Sequence, residues 1–167
     1  MKLSIKSYIF EKKLSVILDI LIAMLWSVSP FGEAKVGIPY AIFNNVNMYV
    51  SFLTCFLANV LVFPIMTFFL DYLNKHLLRW NFYKRSAIKI ARRVKTGAGS
   101  NIGKFGFWGI ILFVMLPIPG TGVYAGSIAS YLFRMPYKQA FLANTIGIFF
   151  SCVMVMAMTM ATYHGIN

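Results

Sequence analysis

Acidic residues are scarce in this chain. Only four of its 167 residues are Asp or Glu, and none of them follows Asp71. The second half therefore supplies no carboxylate, and any acid–base or cation-coupling role must come from the first half. Charged residues make up 12% of the chain and hydrophobic residues 59%, whereas soluble domains carry about 25% charged residues. The composition predicts a single integral membrane domain, residues 1–167, with roughly three to five embedded helices.

Cysteine and histidine are too few and too scattered to suggest a metal or redox centre. Cys55 and Cys152 each lie in an apolar run, where a thiol packs as a small apolar group. His76 and His164 are far apart and have no neighbouring ligand types. No nucleophile and base stand together either. We therefore predict no metal, no cofactor, no catalytic residue and no enzymatic activity.

The glycine-rich stretch 97–104 superficially resembles a phosphate-binding loop. Phe105 stands where such a loop needs Ser or Thr to hold magnesium, and no buried strand precedes the stretch. We interpret it as a flexible connector.

Positive charge, in contrast, is abundant: 16 Lys and Arg give a net charge of +12. Many of them fall in residues 71–104, where apolar residues recur every three or four positions. This pattern predicts a basic amphipathic helix on the cytoplasmic leaflet of the membrane, with anionic headgroups rather than nucleic acid as its partner. The predicted headgroup-binding residues are Arg79, Lys84, Arg85, Lys89, Arg92 and Arg93.

One pattern occurs twice along the chain. A proline-glycine break precedes the tetrapeptide Phe-Leu-Ala-Asn at residues 56–59 and again at residues 141–144. The breaks, at Pro30 and Pro117, are 87 positions apart and the tetrapeptides 85. Such doubling is common in membrane transporters with a site at mid-bilayer. The predicted division is a first repeat at 14–70, a connector at 71–104 and a second repeat at 105–163.

The first break, Ser29–Pro39, contains two prolines and two glycines together with Glu33 and Lys35. We expect it not to form a continuous helix. Irregular backbone at membrane depth occurs only where protein or a water-filled cavity surrounds it, and two charges held there need a reason. The alternative is a loop at the bilayer surface, with both charges in water.

The second break follows an apolar run, Phe105–Leu116, that is too short to cross a bilayer. The turn Pro117–Gly122 and the small-residue segment Val123–Phe133 complete a pattern typical of a re-entrant hairpin. The predicted fold class is thus an all-α integral membrane protein of two repeats. Each repeat has a broken or re-entrant helical hairpin followed by a transmembrane helix.

Three longer apolar runs complete the prediction. We interpret Leu14–Ser29 as a retained membrane helix, because signal-peptide cleavage after Ser29 would place Pro30 beside the cut bond. Asp19 within it is either functional or solvated at the interface. The runs 46–70 and 139–163 are long enough to span a bilayer.

The two broken motifs, Glu33–Pro39 and Leu116–Gly122, resemble those of the small multidrug export family of prokaryotic membrane proteins, over roughly residues 14–160. That family usually has Glu, any residue, a basic residue, two further positions and Ile-Pro. The matching residues here are Glu33, Lys35, Ile38 and Pro39, with Lys35 where many members have Arg. The architecture is more loosely similar to the DedA and VTT-domain proteins, a resemblance that implies translocation of lipid phosphates.

We therefore predict a transporter or exporter in which Glu33 and Lys35 oppose the turn Pro117–Gly122 across the substrate path. Unpaired N–H groups at helix N-termini would hold an anion such as a phosphate headgroup. Glu33, out of water, would favour its neutral form unless Lys35 offsets burial, and so could carry a coupling proton. The predicted substrate- or ion-binding residues are Glu33, Lys35, Pro39, Asn59, Pro117, Pro119, Gly120, Thr121, Gly122 and Asn144.

Two other functions remain open at this point. One is a DedA-like flippase or scramblase for an anionic lipid, favoured by the wholly basic second half. The other is a membrane scaffold that transports nothing. We expect so small a protein to form a homodimer in order to enclose a path.

Overall fold

The computed structural model describes residues 2–77, 101–118 and 122–166, and this part of the chain is helical without a strand. The predicted all-α class is confirmed. The helices are α1 (Lys2–Val28), α2 (Glu33–Phe43), α3 (Met48–Leu77), α4 (Asn101–Met115), α5 (Val123–Leu132) and α6 (Tyr137–Ile166).

Two of these helices are long and apolar enough to cross a membrane, α3 over Met48–Lys75 and α6 over Tyr137–Tyr163. The run at Leu14–Ser29, predicted as a further span, lies in α1 but does not meet the same test. Lys12 and Lys13 lie directly before this run, and α1 ends at Val28. The part of the run that is helical therefore covers only the 15 positions from 14 to 28. At about 1.5 Å per residue these cover about 22 Å, short of an apolar bilayer core.

The three remaining helices are short, with 11, 15 and 10 residues in α2, α4 and α5. The first break is narrower than predicted. The backbone is helical from Glu33 onward, so only residues 29–32 separate α1 from α2. Pro39 lies inside α2. A proline removes one backbone donor, and the face that α2 buries against its neighbours compensates for that loss.

Both ends of the predicted connector at 71–104 are helical in the described residues. Helix α3 continues through Asp71 to Leu77, and α4 begins at Asn101, so the end of the predicted flexible stretch 97–104 is helical. Residues 78–100 lie outside the described part of the chain, and all six predicted headgroup-binding residues fall there.

The same turn closes both short helices α2 and α5. After α2, Asn45 adopts a φ of 61°, and Val46 donates its N–H to the Ala41 carbonyl at 3.0 Å. After α5, Arg134 adopts a φ of 51°, and Met135 donates to Ser130 at 3.1 Å. Both are Schellman turns with a left-handed residue that is not glycine. They reverse the chain directly into the long helices α3 and α6.

The long helices hold the two halves together. Helix α3 packs against α6, and each also contacts the short helix of the other half, α3 against α5 and α6 against α2. The core between them is apolar, with Ile38, Phe63, Ile110 and Ile148 almost fully buried. Glu33 at the start of α2 and Gly122 just before α5 are thereby brought into contact within the bundle.

Gly37 allows α2 to approach α1 and α3 closely. A β-carbon at this position would overlap with the Ser27 hydroxyl and the Ala23 carbonyl and would lie 3.2 Å from the sulfur of Cys55. Gly109 in α4 has open space instead, with no atom within 4 Å of such a β-carbon. The two positions therefore differ only in what surrounds them, since both are helical glycines.

We expect Gly37→Ala to lower the unfolding free energy by about 1–3 kcal/mol, because the methyl group must displace packed backbone. Gly109→Ala should instead raise it by up to about 1 kcal/mol through helix propensity alone. Thermal melting of both variants in detergent micelles measures this difference. Equal melting temperatures would show that the α1–α2–α3 contact is looser than described.

Candidate functional site

Glu33 begins α2 at the junction of the two halves. Its backbone has a φ of 54°, a left-handed conformation unusual for a side chain of this size, and the residue is 2% exposed. Its carboxylate lies against Gly122, the N-cap of α5, where a β-carbon would overlap with both carboxylate oxygens. The glycine thus makes room for the carboxylate at the N-terminus of α5.

Lys35 completes an ion pair at this junction. Its ammonium nitrogen lies 3.2 Å from Oε2 of Glu33 and donates a hydrogen bond of 2.6 Å to the carbonyl of Ile118. The Lys35 side chain is only 10% exposed. Ile118 lies in the second break, so Lys35 joins the start of α2 to the broken backbone between α4 and α5.

The carboxylate of Glu33 is stabilised mainly by electrostatic attraction. Neither of its oxygens accepts a hydrogen bond of full geometry. The Lys35 ammonium and the backbone N–H groups of Val123 and Tyr124 lie around it instead. These N–H groups belong to the first turn of α5, where the helix dipole is positive and favours an anion. The structure therefore places an anion where the sequence predicts an anion site, but the anion is the chain's own.

Tyr124 adds a third contact between the halves. Its hydroxyl donates to the carbonyl of Val28 at the end of α1. The sequence analysis did not single out Tyr124. The available signal is an aromatic residue with a polar tip two positions after a proline-glycine break, where a buried hydroxyl usually finds a partner.

Asn144 belongs to α6 and lies against Gly126 of α5. It is fully buried, and its amide nitrogen donates to the carbonyl of Ala140 at 2.8 Å and the hydroxyl of Ser130 at 3.1 Å. Its amide oxygen has no partner. Glu33 and Asn144 thus lie beside two glycines that are four positions apart, Gly122 and Gly126.

The other predicted site residues are less closely associated with the pair. Asn59 is buried in α3 with an unpartnered amide oxygen, and within the described residues no hydrogen bond joins it to Glu33 or Lys35. Pro39 lies within α2, and Pro117 lies in the second break just before Ile118. Pro119, Gly120 and Thr121 lie outside the described residues.

A small, mostly apolar cleft of about 180 Å³ lies between α3, α5 and the start of α6. Ser130 lines it and also receives the hydrogen bond from Asn144, so the cleft reaches the same polar face of α5. Asp71 at the end of α3 lines it as well. Among the described residues, no group of three or more candidate metal ligands occurs. The other residues that line the cleft are Phe63, Thr67, Tyr131, Met135, Tyr137 and Ala140.

Residues 33–154 of the chain match the family model described as small multi-drug export protein. The chain belongs to this family. The match begins at Glu33 and covers the ion pair, the second break and most of α6. No curated protein and no solved structure matches the chain. The looser similarity to DedA and VTT-domain proteins is not shown, and the family description indicates an export function.

We expect Lys35→Met to lower the unfolding free energy by about 3–5 kcal/mol, because it leaves the buried Glu33 carboxylate without its cation. The double variant Glu33→Gln/Lys35→Met should recover most of this loss. Denaturant unfolding in micelles measures both effects, and Lys138→Met, which changes an exposed lysine, should stay within about 0.5 kcal/mol of the parent. A double variant as unstable as Lys35→Met would contradict a direct interaction between the two charges.

Proposed function

We propose that this protein is a small membrane exporter whose substrate passes between the Glu33–Lys35 pair and the second break, Pro117–Gly122. One observation carries the proposal: a buried ion pair from the first half docks on broken backbone and a helix N-terminus of the second half. Charges are expensive within a membrane and lie at substrate or ion pathways there. A scaffold would gain more stability from apolar residues at the same contact.

The geometry of the two halves supports an internal repeat as part of this proposal. Three kinds of landmark are each separated by 89 positions: the glycine at a close helix contact, the left-handed residue after the short helix, and the first residue of the long helix. They are Gly37 and Gly126, Asn45 and Arg134, and Met48 and Tyr137.

This spacing revises the equivalence suggested by the sequence. The Phe-Leu-Ala-Asn tetrapeptides are 85 positions apart, so Asn59 lies four residues too late in α3 to be the counterpart of Asn144. At a spacing of 89 the counterpart is Cys55, which lies 3.2 Å from a β-carbon at Gly37 as Asn144 lies against Gly126. We therefore assign the paired role to Asn144 and Cys55, with Asn59 as a packing residue.

The same spacing makes Gly122 the counterpart of Glu33. These two positions touch each other. Contact between equivalent positions is expected where a two-fold axis relates two segments, as in transporters with inverted repeats and a site at mid-membrane. We propose that the breaks before α2 and α5 are re-entrant and enclose such a site.

The proposal also covers the membrane location, the topology and the oligomeric state of the protein. Many large apolar side chains are exposed on α3 and α6, including Leu53, Leu57, Leu61 and Phe68 on α3, which suits contact with lipid. We propose a multi-pass protein of a prokaryotic plasma membrane, with the basic connector in the cytoplasm and a homodimer as the working form. Transport coupled to protons through Glu33 is part of the same proposal.

The test is efflux from proteoliposomes loaded with a mixture of drugs and anionic metabolites, followed by mass spectrometry of the outer solution. The parent should release a subset of the mixture. Lys35→Met should slow that release by at least about tenfold, because a lost contact to a charged group costs more than about 1.4 kcal/mol. Lys138→Met is the control and should match the parent. Unchanged efflux from Lys35→Met would overturn the proposal.

A further inference from the structure

The N-terminus of α5 has the features of an anion site, and an anion of the chain already fills it. The N–H groups of Val123 and Tyr124 face the site, and Lys35 reaches it from α2. A helix N-terminus with a lysine beside it is a common arrangement for binding phosphate or sulfate. Here the carboxylate of Glu33 lies directly against Gly122. A second anion has no room while Glu33 stays in place.

Glu33 fits this position poorly. Both of its oxygens are buried and neither accepts a hydrogen bond of full geometry, although donors surround them. The backbone of Glu33 is also left-handed, at a φ of 54°, which costs free energy for a residue with a β-carbon. The donors of Lys35, Val123 and Tyr124 are therefore not fully used by the carboxylate and remain available to another oxyanion, such as a tetrahedral one.

We propose that Glu33 is a stand-in for the substrate: an oxyanion of the phosphate or sulfate class displaces it from Lys35 and the N-terminus of α5. This inference rests on the proposed function and names its substrate class. Glu33 leaves the site when it takes up a proton, because the neutral carboxyl no longer competes for the lysine. The proton stays on the Glu33 carboxyl, and the oxyanion takes over the donors.

Among the described residues, Lys35 is the positively charged group that contacts Glu33. Lys35 reaches it from α2 at 3.2 Å, and Tyr124 lies near it on α5. Cys152 of α6 and Cys55 of α3 carry no positive charge in any protonation state. Asp19 of α1 is near the Tyr40 hydroxyl instead, at 3.5 Å. Among the described residues, Lys35 is thus the one cation for which Glu33 and an incoming anion compete. Neutralisation of Glu33 by a proton therefore favours binding of the oxyanion at Lys35.

The test measures sulfate binding to the full chain in micelles by isothermal titration calorimetry, since sulfate keeps its charge over the whole range. In the parent, affinity should rise as pH falls from about 8 to about 5, by up to about tenfold per unit where Glu33 titrates. Glu33→Gln removes the competing charge and keeps the shape. It should bind sulfate at every pH at least as tightly as the parent does at the lowest pH. Lys35→Met should bind none.

Separate arms distinguish the source of the oxyanion. Inorganic phosphate and a short-chain phosphatidic acid compete with sulfate in the same titration. Stronger competition by the phosphatidic acid indicates a lipid headgroup as the substrate, and equal competition indicates a free solute. Either result supports the displacement of Glu33, whereas sulfate that binds Glu33→Gln no better than the parent, with the same pH dependence, would overturn it.

Two further outcomes keep the test decisive. Should Glu33→Gln fail to fold, the parent alone decides, because a sulfate affinity that does not change with pH contradicts competition by Glu33. If Lys35→Met lowers efflux but sulfate binds neither the parent nor Glu33→Gln, the transport proposal stands and the oxyanion proposal fails. Sulfate binding without any efflux would support the oxyanion proposal and contradict the transport proposal.

Discussion

The ion pair between Glu33 and Lys35 is the interaction on which the arrangement of the two halves depends. It joins the start of α2 to the second break through the Ile118 carbonyl and to the first turn of α5. Several local features follow from it. Gly122 must lack a β-carbon, Glu33 adopts a left-handed backbone, and the start of α2 is buried against the N-terminus of α5.

Such a contact is a poor way to stabilise a small protein. Two charges lose their hydration on burial, and their attraction compensates fully only when hydrogen bonds satisfy the remaining atoms. Here neither Glu33 oxygen accepts a hydrogen bond of full geometry. The amide oxygen of Asn144, which lies against Gly126 of α5, has no hydrogen-bond partner either. A buried polar group that is only partly satisfied is costly, so function explains this pair better than stability does. The pair therefore links the fold of the protein to its proposed transport.

Within the proposed repeat, the spacing of the matching sequence differs from the spacing of the matching structural features. The tetrapeptide Phe-Leu-Ala-Asn repeats at a spacing of 85, but the turns, glycine contacts and helix starts repeat at 89. A difference of four residues is close to one helical turn, so the tetrapeptides face nearly the same direction at different depths. Apolar sequence is constrained mainly by the face it presents, whereas the position of a close contact is set by the neighbouring helix.

The sequence by itself determined the helical membrane class, the two breaks and the likeness to the export family, because composition, proline and glycine act locally. It also determined that Glu33 and Lys35 are the ionisable residues at a break, since acids are so few. Only the tertiary structure decided that the first break ends at residue 32, that Tyr124 links α5 to α1, and that Glu33 itself fills the N-terminus of α5. These features depend on contacts between residues about 90 positions apart, and no local pattern specifies which donor a buried carboxylate will meet.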